Sequence, residues 1–148
     1  FDADFFFSIA PRLKLSDGKG DTSAAHTALP FYDFAHPDDF RLPIGCRLVG
    51  VEITDEAVEL PRFRHPHRAA YVFGAERYSL SPQMLSLCEF VVKIPTRFSI
   101  NVGMAGAIVL YDRLMSQSGY ARPVTPGGGD PVPPAHSWGA PLSRPRDY

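Results

Sequence analysis

With 148 residues, 45% of them hydrophobic and 12% aromatic, the chain holds enough apolar material for one substantial core and is too short for a second full-sized domain. Fifteen basic against 16 acidic residues leave a formal charge of -1, which excludes an overall positive field able to hold nucleic acid by charge alone, though not a local basic face. No apolar run reaches the ~20 residues that span a bilayer, and no basic-then-apolar leader precedes a cleavage site, so the expectation is a soluble, cytoplasmic protein.

The chain opens on Phe1 and enters Asp4-Phe5-Phe6-Phe7-Ser8-Ile9, an apolar run that reads as a strand buried on both faces. Buried strands rarely begin a domain, so residues ahead of Phe1 are expected in the intact protein. Pro11 to Ala28 is rich in Gly, Ser, Lys and Asp and reads as a long surface loop, either a partner contact or a connector. In "FAHPDDFR", Pro37 stands where a first helical residue would, with acids behind it, which suits a short helix. Arg47 to Ile53 predicts a strand with apolar residues on both faces, and Ala69 to Phe73 predicts another that stops at Gly74.

Ser81-Pro82 caps a short helix running to about Leu87, and Phe90 to Ile94 returns as a strand that stops at Pro95. Asn101 to about Gln117 is helical, with Gly103, Gly106, Ala107 and Leu110 on one stripe that would admit a second helix or subunit. Each glycine weakens an isolated helix by about 1 kcal/mol, so packing contacts must offset the loss. After Tyr120 the chain is Pro- and Gly-rich without a period and reads as an extended tail, residues 121–148, with Trp138 as its possible anchor. Short buried strands separated by helices predict one α/β domain over residues 1–120 with a largely parallel sheet.

Cys46 and Cys88 lie apart, each beside apolar residues and outside any CxxC spacing, which points to buried thiols rather than a bridge or a metal site. His65-Pro66-His67 superficially resembles a metal spacing but has no further ligands nearby, so no metal is expected. Gly127 to Gly129 lacks the Lys-Ser/Thr and helix of a phosphate loop, and no GxGxxG run is present.

Five short elements stand in a telling order: Phe73-Gly74-Ala75-Glu76, a short helix, Ile94-Pro95, Ser99-Ile100-Asn101, and Leu110-Tyr111-Asp112 closing an apolar helix. This arrangement resembles motifs two and three of the SpoU/TrmH branch of the SPOUT RNA methyltransferases. The resemblance covers Arg47 to Arg113 well and Asp4 to Phe40 more loosely. It implies helices on both faces of the sheet, a C-terminal trefoil knot, S-adenosylmethionine as methyl donor, a homodimer, and methylation of a ribose 2′-hydroxyl in tRNA or rRNA.

The cofactor residues it implies are Val51, Gly74, Glu76, Ile94, Pro95, Ser99 and Ile100, with Ser99 and Asn101 between cofactor and ribose and Arg97 as a phosphate contact. The local chemistry agrees: Gly74 lets backbone approach a ligand, Pro95 stiffens a facing turn, and Val51, Ile94 and Ile100 suit the flat faces of adenine. Each polar residue also has a plainer role. Ser99 and Asn101 are preferred helix caps, Glu76 can be a solvated turn carboxylate, and Arg97 a solvated loop cation.

The family's first motif, with an Asn and the Arg assigned to activating the ribose hydroxyl, has no counterpart after Phe1. The resemblance therefore implies impaired turnover for the chain as it stands. The alternative from another class is a noncatalytic, dimeric module that binds cofactor and RNA.

Overall fold

The computed structural model describes residues 1, 3–10, 29–75 and 78–117. The long loop from Pro11 to Ala28, Glu76, and the tail of residues 121–148 with Trp138 lie outside the described residues. Those described form strands β1 (Phe6–Ile9), β2 (Phe31–Phe34), β3 (Arg47–Val51), β4 (Val58–Glu59), β5 (Ala69–Phe73) and β6 (Phe90–Lys93). Helix α1 (Pro82–Leu87) precedes β6, helix α2 (Val102–Gln117) follows it, and 3-10 turns occupy Pro37–Asp39 and Leu60–Arg62.

Every described strand pairing is parallel. The main sheet has the order β4-β6-β3-β5, with Val49 of β3 opposite Tyr71 of β5 on one side and Phe90 of β6 on the other. β1 and β2 pair with each other as a separate two-stranded sheet, where a single sheet was expected. The protein is thus a mixed α/β fold with parallel sheets.

Central β3 buries Leu48, Val49 and Gly50 in succession, as a strand covered on both faces must. Side-chain alternation sorts the sheet into two cores. Leu48, Ala70 and Val72 join Phe40, Leu80 and Met84 of α1, while Val49 and Val92 join Leu60 and Val109 of α2. Gly50 allows α1 to end close against β3, since a Cβ there would stand 3.0 Å from Cys88 Sγ and 3.3 Å from a Leu80 methyl.

The local signals explain most element boundaries. Ser81 accepts a hydrogen bond from the Met84 amide at 3.2 Å and Pro82 opens α1, which ends at Leu87 as the sequence predicts. The "HPDD" signal yields a 3-10 turn rather than an α-helix, capped by His36 Nδ1 on the Asp38 amide.

One expectation about burial is corrected. β1 is not buried on both faces: Phe6 is 48% exposed, because one side of the two-stranded sheet packs on Phe40 while the other is left open. The small residues of α2, Gly103, Gly106, Ala107 and Leu110, share one side of the helix, which is exposed to half-buried. Ala105 and Val109 turn to the core, Gly106 lies against the Phe73 ring, and Gly103 and Ala107 are exposed. Cys46 and Cys88 are free and only half-buried, and burial raises both thiol pKa values, that of Cys88 to about 11.

Candidate functional site

A parallel sheet brings the carboxyl ends of its strands to one side, where ligands of open α/β folds bind. Here the ends of β3, β5 and β6 and the start of α2 enclose a cavity of about 360 Å³, within the size of small-molecule pockets. Its walls include Val51, Gly74, Ile94, Ser99 and Ile100, five of the residues singled out from the sequence. The turn after Phe73 and the turn after Ile94 therefore face one space.

Gly74 is required by close approach. A Cβ at this position would overlap the carbonyl oxygen of Tyr78 and crowd the backbone of Ser79 and Leu80, so only glycine lets the chain fold back beside the β5 end. Glu52 fastens that returning segment to β3: one carboxylate oxygen accepts the Leu80 amide at 2.7 Å and the other the Ile53 amide at 2.9 Å. The opposite wall is shaped by Thr96. Its amide donates to Ile94 O at 2.8 Å, closing a tight turn, and its hydroxyl donates to Phe98 O at 2.8 Å.

Asn101 stands at the head of α2 as a cap. Its side-chain oxygen accepts the amides of Gly103 at 2.8 Å and Met104 at 3.4 Å, and it does not line the cavity. Pro95 and Arg97 are exposed on the loop and also stand outside the lining, because Thr96 occupies the inner side of that turn. Ser99 lines the cavity and is exposed, at its mouth. Glu76 lies outside the described residues.

Sequence reasoning missed Glu52, Tyr78, Lys93 and Thr96 in the walls. Lys93 turns its ammonium to the carbonyls of Thr54 at 3.0 Å and Asp55 at 3.4 Å, tying the β6 end to the loop after β3. The available signal was positional: Glu52 and Lys93 stand at the carboxyl ends of strands, next to residues that were identified.

A second polar cluster holds α2 in place from the far end. The fully buried His65 ring stands 2.5 Å from the Tyr71 hydroxyl through Nδ1 and 2.9 Å from Asp112 through Nε2. Both contacts are satisfied when Nε2–H donates to the carboxylate and Nδ1 accepts the phenol proton. Burial pushes the Tyr71 phenol pKa up, against the hydrogen bond and charge of Arg113. Arg113 donates to Pro66 O and His67 O at 2.6 Å each, and Gln117 to His65 O at 2.8 Å and Pro66 O at 3.0 Å. Of the two histidines, His65 is thus a packing residue, whereas His67 is exposed and offers its carbonyl to Arg113; among the described residues no group of three or more His, Cys, Asp and Glu is arranged to hold a metal.

The family model of the SpoU rRNA Methylase family matches residues 22–111, more than half of the chain. The chain belongs to the SpoU rRNA Methylase family. The matched span includes the β5 turn, the β6 turn and the first half of α2, so the family pattern and the cavity share the same residues. No curated protein matches the sequence. Among solved structures, the A. aeolicus TrmH/SpoU tRNA modifying enzyme is similar in fold, with a TM-score of 0.58 at 18% identity over 77% of this chain. This SpoU family chain spans 62% of the length of that structure.

Proposed function

We propose that this chain is the methyltransferase domain of an S-adenosylmethionine-dependent RNA ribose 2′-O-methyltransferase acting on tRNA or rRNA. The observation that supports it most is the convergence of the two family turns and the head of α2 on one cavity of about 360 Å³. The residues suit the cofactor: Val51, Ile94 and Ile100 offer apolar contact to a flat base, and the Gly74 backbone can approach a ligand that any side chain would push away. When bound, S-adenosylmethionine supplies an electrophilic sulfonium methyl group.

The chain's own residues then hold and orient. Ser99 at the mouth positions the ribose by hydrogen bonding, Asn101 fixes the head of the helix that follows Ser99, and Arg97, exposed beside them, meets a backbone phosphate. Glu52 contributes rigidity rather than proton transfer, because each of its oxygens already accepts a main-chain N–H. The reading includes the knotted arrangement of the SPOUT fold, with helices on both faces of the sheet, and a homodimer. Support for the dimer is an exposed apolar row on α2, Met104, Ile108 and Tyr111, spaced four and three residues apart.

The test is calorimetric titration with S-adenosylhomocysteine, followed by transfer of labelled methyl groups to bulk tRNA and rRNA with mapping of the product. Saturable heat and label at ribose 2′-oxygens are expected. Heat without label identifies the noncatalytic module instead, and neither heat nor thermal stabilisation overturns both readings.

A further inference from the structure

Away from the cavity, the segment from Arg62 to Arg68 gathers three arginines and two histidines in seven residues without one acid, in a chain whose total charge is -1. Its backbone is held firmly. Arg113 and Gln117, in the last turns of α2, grip the carbonyls of His65, Pro66 and His67, and the His65 ring is sealed between Tyr71 and Asp112. The remaining basic residues are open to solvent: Arg62, Arg64, His67 and Arg68 are all exposed.

Arg62 faces Glu59 at 3.6 Å, but Arg64 and Arg68 make no ion pair with another described residue. Arg68 extends over the turn at Gly45, where its guanidinium stands 3.9 Å from the position of a Cβ. A rigid loop that presents uncompensated arginines suits a polyanion with spaced phosphates, because the ordering cost of the backbone has already been met by the fold.

We propose that Arg64 and Arg68, with His67 between them, form a second contact for the RNA backbone, separate from the cavity mouth. The loop enters β5 at Ala69 whereas the cavity begins where β5 ends, so the two places are separated by the strand, roughly 13 Å at the usual rise. A ribose at the cavity and a phosphate at this loop therefore belong to different nucleotides of one folded RNA. The role of the loop is to hold the substrate, and it takes no part in the chemistry. The inference rests on the methyltransferase reading of the cavity for the identity of its partner.

The experiment follows binding of fluorescent bulk tRNA by anisotropy over a salt series, for the unaltered chain and for Arg64→Gln/Arg68→Gln, with S-adenosylhomocysteine titrated into both. Loss of two phosphate contacts makes the slope of log affinity against log salt shallower by about 1.5 and weakens binding roughly tenfold or more near 0.1 M salt. Cofactor affinity is expected to be unchanged, since neither arginine lines the cavity. Where methyl transfer is measurable, KM for RNA rises and kcat is retained.

Unaltered RNA affinity and salt slope in the double variant overturn the contact while leaving the cavity reading intact. So does loss of binding to phosphatidylserine vesicles with RNA binding preserved. Absence of cofactor binding together with the shallower slope overturns the methyltransferase reading and upholds the RNA contact.

Discussion

Gly74 shows how one missing side chain shapes the cavity. The adjoining wall is main chain, so a larger residue cannot be accommodated by a rotamer change and must displace the segment from Tyr78 to Leu80. Gly74→Val is expected to lower affinity for S-adenosylhomocysteine at least tenfold by calorimetry while the far-UV spectrum stays that of a folded protein. Undiminished affinity would show that the turn does not form the slot. Gly74 was visible in the sequence because it ends a strand. Glu52 was not, because its role is made by a bond to an amide 28 residues later.

Cys88 gives a prediction in pH. Its folded pKa of about 11 lies above the ordinary thiol value of 9.0 because burial disfavours the thiolate. The unfolded chain releases this proton first. Its contribution to stability is therefore level below pH 9 and is lost as pH climbs from 9 towards 11. Alkylation of the folded protein by iodoacetamide should correspondingly stay slow at pH 8 and quicken above pH 10, and a rate at pH 8 equal to that of the denatured chain would contradict the burial.

Helix α2 has a weak stripe of its own, interrupted by two glycines, yet it packs firmly because both ends are tied. Asn101 caps the head, and Asp112, Arg113 and Gln117 bind the tail to residues 65–67. Asp112→Asn weakens the contact to the buried His65 and, by the usual cost of a poorly satisfied buried group, is expected to destabilise the protein by about 1–3 kcal/mol in urea unfolding. A change below the error of that measurement would place the hold on α2 elsewhere. The helix was legible from periodicity and its tail contacts were not, since His65 reads in the sequence as half of a histidine pair. β4, with two residues, is too short for any period to reveal, and only pairing with β6 defines it.

The exposed row of Met104, Ile108 and Tyr111 bears on the proposed homodimer. Its members lie on a different side of α2 from Ala105 and Val109, so polar substitutions there leave the core untouched. Ile108→Glu/Tyr111→Glu is expected to halve the mass seen by light scattering without a large change in melting temperature. An unaltered dimer mass would put the interface on another face. Gly106 is unsuitable for this purpose because it faces the Phe73 ring, so enlarging it disturbs the sheet rather than an interface.

Local chemistry was written in the order of residues: the strands around Arg47, Ala69 and Phe90, the Ser81-Pro82 start, and the two turns with their family signature. These depend on neighbours within a few positions, where backbone sterics and side-chain alternation suffice. Which side chains meet was left to folding. Parallel pairing of β3 with both β5 and β6 carries the two turns to the same edge, and long-range hydrogen bonds then choose Glu52 and His65 for their places. The bonds of Glu52 to Leu80 and of His65 to Asp112 join residues far apart in the chain, and no local preference encodes them, whereas the Thr96 bond to Phe98 is local.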